Sequence, residues 1–289
     1  MSGDQRVVII SGAGKGLGRA YAHYLAQRGF AIVVNNRRHA ADEEASADAV
    51  VREIRAAGGK AVAHHGAAED PQTGESLLAL ALASFGRLDA VIANAGVSEG
   101  TTFCKQTPES IEKNISINLL GTAYLLLPTF RHLYEQRAGH VLVSTSAAGL
   151  FGGHGLPAYS ASKAGLIGLM QSLALEGAPH QVFVNAVAPF ARTQMTTASL
   201  EAAAITGLAP DEVAPIVARL LAPDCKISGE VVVAAAGRVA RARMLCGVPR
   251  DVGDTDLTID QVLADLAGSV VALEHPDAVA MFQSFIGER

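Results

Sequence analysis

The sequence predicts an α/β protein: a single Rossmann-type, doubly wound parallel sheet of about seven strands, helices on both faces, and a helical C-terminal extension. Three observations predict it. Short runs rich in Val and Ile recur along the chain and are apolar at consecutive positions, as strands buried on both faces require. Longer stretches of helical periodicity separate these runs, so each strand is followed by a crossover. Directly after the first run comes a glycine-rich turn, SGAGKGLGRA, at residues 11–20.

In order, the strand candidates are RVVII (6–10), AIVVN (31–35), KAVAH (60–64), LDAVIA (88–93), HVLVST (140–145), VFVNAV (182–187) and EVVVA (230–234). Helical patterns lie near 16–28, 42–57, 71–85, 108–136, 157–176 and 210–221. Residues 1–245 read as one domain. Residues 246–289 read as a helical extension of it, with patterns at 258–271 and 275–286 split by GVPRDVGDTD.

Composition narrows the function classes. Of 289 residues 49% are hydrophobic and 18% charged, which suits a well-buried core. A formal net charge of −5 argues against a nucleic-acid surface, because phosphate binding needs a concentrated basic field. Cys104, Cys225 and Cys246 are far apart and lack metal-ligand spacing, as in a reduced protein without structural zinc. No apolar run reaches the roughly 20 residues of a membrane span. The opening MSGDQRVVIISG enters a strand at once and the ending FIGER is not a peroxisomal address, so the expected location is cytoplasmic.

The glycine turn points to a dinucleotide. Gly12, Gly16 and Gly18 follow G-x-x-x-G-x-G, with Gly14 extra and Lys15 and Leu17 inside the turn. Glycines let the chain turn tightly and approach a pyrophosphate, which then sits at the N-terminus of the next helix. The second strand ends VVNNRRHA. A carboxylate there would accept from the adenosine ribose and favour NAD, whereas arginine pairs with the 2′-phosphate of NADP. Asn36 replaces the acid and is followed by Arg37 and Arg38, with Lys15 as a further cation. NADP is therefore favoured over NAD.

The second chemical signal is AYSASKAG, residues 158–165. Tyr159 and Lys163 stand at i and i+4 and share a helix face. A nearby ammonium stabilises tyrosinate and is expected to lower the phenol's pKa toward working pH.

With both motifs in place, the sequence resembles the short-chain dehydrogenase/reductase family over at least residues 5–240. The family's Y-x-x-x-K pair matches Tyr159 and Lys163, and its serine matches Ser146, thirteen residues earlier. Its N-A-G motif matches Asn94, Ala95 and Gly96, its helix asparagine Asn118, and its strand-six pattern Asn185 and Pro189. The resemblance implies that Asn118, Ser146, Tyr159 and Lys163 are catalytic. Ser146 would donate to the substrate oxygen, Asn118 would hold a relay water, and Lys163 would also bond the nicotinamide ribose. Thr193 matches a hydroxyl that touches the cofactor amide. Two departures stand out. Gly66 and Ala67 replace the aspartate that commonly contacts adenine, and Phe190 replaces the glycine after Pro189.

Within the family the resemblance is greatest to the (3R)-hydroxyacyl-CoA dehydrogenase part of peroxisomal multifunctional β-oxidation enzymes. It is carried by SGAGKGLGRAYAHYLAQRG, SLALEGAPHQVFVNAVAPFARTQMT and APDEVAPIVARLL. It implies an NAD(P)-dependent oxidoreductase acting on a small-molecule secondary alcohol or ketone, with 3-hydroxyacyl-CoA or steroid-like substrates as the options. Met195, Leu200 and Ile205 would line the substrate loop or pack a short helix. His154 would face substrate or solvent, and Arg238, Arg241 and Arg243 would meet a CoA phosphate or remain surface charge. The apolar helix from Pro157 also predicts a homodimer or homotetramer. A silent dinucleotide-binding scaffold and an epimerase or lyase on the same fold are the alternative functions.

Overall fold

The computed structural model describes residues 5–38, 44–192, 208–247, 261, 272–277 and 281. The chain divides into two compact units, Met1–Arg241 and Ala242–Arg289. Thr193, Met195, Leu200 and Ile205 lie outside the described residues, as do all of the expected helix 258–271 except Gln261 and most of the expected helix 275–286.

The first unit is built on one sheet. Its strands are β1 (Val7–Ser11), β2 (Ala31–Asn35), β3 (Lys60–His64), β4 (Ala90–Ala93), β5 (Gly139–Ser144), β6 (Val182–Pro189), β7 (Val231–Ala235) and β8 (Arg238–Ala242). Their order is β3-β2-β1-β4-β5-β6-β7-β8, and the pairings from β3 through β7 are all parallel. β1, β2, β4 and β5 are buried at every position, as expected of strands covered on both faces. The order reverses between β1 and β4, which opens a crevice at their C-terminal ends, where α/β folds of this kind bind ligands.

The helices are α1 (Gly16–Gln27), α2 (Ser46–Ala56), α3 (Thr73–Phe85), α4 (Pro108–Asn114), α5 (Gly121–Gln136), α6 (Ala147–Phe151), α7 (Pro157–Gly177) and α8 (Ala214–Leu220). The stretch expected as one helix over 108–136 is interrupted by a π-helical turn, Ile115–Leu120. Such wide turns are frequent at functional sites, and this one carries Asn118. α4 starts sharply because Thr107 and Ser110 form a reciprocal capping box with Pro108 in the first turn.

The eighth strand extends the expected seven. Ala236 and Gly237 link β7 to β8 with φ of 48° and 68°, the paired positive values of a two-residue hairpin turn. In the second unit, Cys246–Gly247 pairs antiparallel with Ala272–Leu273. Among the described residues no helix is long and apolar enough to cross a membrane.

Candidate active site

The glycine turn is organised by Asn94, at the end of β4. Its Nδ2 donates to the carbonyls of Ser11 at 3.2 Å and Gly12 at 3.3 Å, and its Oδ1 accepts from Ser144 Oγ at 3.2 Å. One amide thus ties the turn to the strand that leads to Ser146. Gly12, with φ of 64°, requires the left-handed region. Gly18 serves packing instead. A Cβ there would stand 2.3 Å from Gly12 O, so its lack of side chain lets α1 close on the turn. Gly14 packs likewise against Ser46 and Asn36.

Tyr159, Lys163 and Ser146 converge from two elements. Ser146 caps α6, its Oγ accepting from Ala148 N at 3.1 Å. Gly149 lets α6 lie against α7, because a Cβ there would be 2.7 Å from the Lys163 carbonyl carbon. Thr145 Oγ1 donates to Lys163 O at 2.7 Å, a second tie between β5 and α7. Lys163 is 4% exposed and donates from Nζ to Ser144 O at 2.7 Å. Its Nζ lies 5.8 Å from the Tyr159 ring centroid.

Asn118 is buried behind these groups. Its Oδ1 accepts from Val97 N at 2.8 Å, and its Nδ2 donates to Val97 O and Ser162 Oγ, each at 3.0 Å. Ser162 Oγ in turn donates to Tyr159 O at 2.7 Å. A Cβ on Gly96 would approach Asn118 Oδ1 to 3.1 Å and Lys163 Nζ to 3.3 Å, so the N-A-G glycine is sterically required.

The electrostatics correct one expectation. Burial raises the Tyr159 phenol above its ordinary range, opposed by its hydrogen bond with Ser146. Burial also lowers Lys163 to about 8. The charged neighbour was expected to dominate; removal of both groups from water dominates instead.

These residues face one cleft of about 670 Å³. Gly12, Lys15, Gly16, Leu17, Asn36 and Arg37 line one end. Asn94, Ala95, Gly96 and Pro189 line its middle, and Ser146, Tyr159 and Lys163 the other end. Gly14, Gly18, Arg38 and Asn118 are not on its wall, and Thr193 is not among the described residues. His154 is exposed and is not on the cleft wall. Arg241 and Arg243 pair with Glu230 and Glu274.

Phe190, the departure noted after Pro189, lies on the cleft wall, and several other lining residues had no sequence signal. Val97, Leu156 and Leu208 join Phe190 in making the catalytic end apolar, and Lys113, paired with Glu99 at 2.5 Å, stands at its margin. Asn35 is buried at the end of β2 and donates to Gly66 O at 2.9 Å, shaping the loop that lacks the adenine-binding aspartate. Only contacts distant in sequence reveal these roles. Among the described residues no group of three or more His, Cys, Asp or Glu could hold a metal.

The residues fit a nicotinamide dinucleotide. Side-chain-free backbone lies where a pyrophosphate approaches, cations stand at the adenosine end, and a phenol, a hydroxyl and an amine stand at the far end of a continuous cleft. Fold and site together define a dinucleotide-binding oxidoreductase. Comparison with known proteins places the chain more closely: residues 6–204 match the short chain dehydrogenase family, and the chain belongs to it. A Mycobacterium tuberculosis protein named as a short-chain type dehydrogenase/reductase is 40% identical over 83% of this chain and 86% of its own. Mouse peroxisomal multifunctional enzyme type 2 is 36% identical over 83% of this chain, which spans only 33% of that enzyme. The crystal structure of a short chain dehydrogenase from Mycobacterium avium superposes with a TM-score of 0.82 at 31% identity, covering 92% of this chain and 95% of that one.

Proposed function

We propose that the protein interconverts a secondary alcohol and a ketone, with NADP favoured over NAD. The observation that carries this reading is the convergence of Ser146, Tyr159 and Lys163 on a cleft continuous with the glycine turn. When bound, the nicotinamide supplies or accepts the hydride. The chain's own residues handle the proton and the developing charge. Ser146 Oγ donates to the substrate oxygen and holds it near the phenol. Tyr159 exchanges a proton with that oxygen, favoured by the positive charge that Lys163 carries below about pH 8. Asn118 positions α7 through Ser162 and fixes Val97 at the cleft wall.

NADP is supported by Lys15, Arg37 and Arg38 around a β2 end that has Asn36 in place of an acid. The apolar catalytic end supports a substrate with hydrocarbon next to its carbonyl, as 3-hydroxyacyl-CoA or steroid-like compounds have. An assembly of two or four copies is supported by α7, whose outer side presents Ala161, Ala164, Gly168 and Leu175 to solvent. A cytoplasmic setting belongs to the same proposal. The intact Ser–Tyr–Lys set disfavours a silent scaffold.

The test is oxidation of 3-hydroxyacyl-CoAs, hydroxysteroids and small secondary alcohols with NADP⁺ and NAD⁺, followed at 340 nm. Turnover with a lower KM for NADP⁺ is expected. A clear preference for NAD⁺ overturns the cofactor assignment, and no net absorbance change with any bound substrate overturns the reaction type.

A further inference from the structure

Arg37 leaves the end of β2, where the adenosine ribose lies in doubly wound nucleotide-binding folds. Its Nη2 donates to both carboxylate oxygens of Glu69, on the connection after β3. Both side chains are partly shielded, with 40% and 30% of their surfaces exposed. Asn36 meanwhile uses its amide hydrogens on Ser46 Oγ at 2.8 Å and Arg37 O at 3.2 Å. Among the described residues, no carboxylate pairs with Lys15 or Arg38, both of which are exposed. Of the two cations on the cleft wall at this end, Lys15 and Arg37, it is Arg37 that already holds an acid.

We propose that Glu69 is a specificity-determining residue that restrains NADP binding by competing with the 2′-phosphate for Arg37. The inference rests on the cofactor reading above. A 2′-phosphate carries more charge than a carboxylate and offers a bidentate partner to guanidinium. When it takes Arg37, Glu69 loses its partner and stands close to a new dianion. The half-buried carboxylate then faces repulsion with less screening than an open surface gives. A dinucleotide with a free 2′-hydroxyl leaves the Arg37–Glu69 pair intact and meets no such cost. Glu69 thus narrows a preference that Lys15, Arg37 and Arg38 would otherwise make wide. It acts from the adenine loop, in place of the missing acid at position 36.

Calorimetric titration of the full chain with 2′,5′-ADP and with 5′-AMP tests this without turnover. Glu69→Gln is expected to tighten 2′,5′-ADP about tenfold and to leave 5′-AMP within about twofold. Arg37→Gln is expected to weaken 2′,5′-ADP about tenfold, and in that background Glu69→Gln should have no effect on it. Glu69→Ala repeats the test should the amide form a new bond. The inference is overturned if both Glu69 variants leave 2′,5′-ADP unchanged or shift both ligands equally. It is overturned too if the tightening persists undiminished without Arg37. Failure of the NADP reading shows differently: the wild-type chain would bind 5′-AMP as tightly as 2′,5′-ADP, while the shift in the Glu69 variants would still decide the role of that residue.

Discussion

Two buried basic groups stand near opposite ends of β5, Lys163 reaching it from α7 and His140 on the strand itself, and they have different fates. At its C-terminal end, the Ser144 carbonyl accepts from Lys163, which burial lowers to about 8. Near its N-terminal end, burial lowers His140 to about 4. The imidazole stands between Arg6, whose guanidinium donates to Nδ1 at 3.3 Å, and the Cys225 carbonyl, which accepts from Nε2 at 3.2 Å. An arginine cannot accept, so Nδ1 must, and the neutral tautomer with hydrogen on Nε2 follows. Phe183 covers the ring at 5.5 Å, and Lys226 and Asp89 complete the charges around it. The same physics shifts both groups. Only Lys163 stands with a phenol on the wall of a cleft that could hold a substrate; both nitrogens of His140 are already taken, and the ring is not on that wall. A displaced pKa marks burial, and function requires the geometry besides.

The comparison is tested first at the group it makes central. Tyr159→Phe should lower kcat at least about 10³-fold while the affinity for NADPH stays within about twofold. Undiminished turnover with intact cofactor binding would remove the chemical half of the contrast. Lys163→Met should lower kcat about 10²–10³-fold and also change stability. Between about 8 and the ordinary 10.5 the unfolded chain holds more protons, so wild-type stability rises with pH across that window. Below it the buried lysine costs up to about 3 kcal/mol, offset by about 1 kcal/mol for its bond to Ser144. The methionine variant should therefore resist urea better at pH 7, with the advantage shrinking by pH 10. An equal advantage at both pH values would show that the lysine's charge is not what costs stability. Ser146→Ala should lower kcat about 10²-fold and, by uncapping α6, cost about 1 kcal/mol in urea melts.

Much of this contrast was readable from sequence at one end of the sheet and little of it at the other. The glycine turn, the i, i+4 Tyr–Lys pair and the apolar strands are local patterns, and the folded chain keeps each of them. β8 left no such pattern, because RVARA is mostly exposed; a left-handed Ala236 beside Gly237 creates it. The π turn at 115–120 was invisible because one wider turn barely disturbs a 3.6-residue period. The roles of Gly14 and Gly18 required coordinates, since a glycine that admits a ligand and one that admits a helix look alike in sequence. Arg37 with Glu69, Asn35 with Gly66 and His140 with Cys225 are pairings across the fold, and no spacing announces them. The sign of the Tyr159 shift failed for a related reason: charge adjacency is written in the sequence, whereas depth is not.

The smallest expected effect on turnover is also the sharpest test of the contrast. His140→Leu should leave kcat within about twofold, because the imidazole is not among the groups that line the cleft. It should cost about 1–3 kcal/mol at pH 7, since Arg6 and the Cys225 carbonyl each lose a partner. Its signature lies in acid. Below the ordinary 6.5 the unfolded chain takes up a proton that the buried ring refuses until about 4, so wild-type stability falls as pH drops through that window. The leucine variant lacks this loss, which amounts to up to about 3 kcal/mol. Its unfolding free energy should therefore change less steeply between pH 6.5 and 4, and the two proteins should converge. Parallel slopes would mean that His140 titrates normally. A tenfold fall in kcat with unchanged slope would mean that the far end of β5 takes part in catalysis, and shape alone would no longer separate the two buried bases.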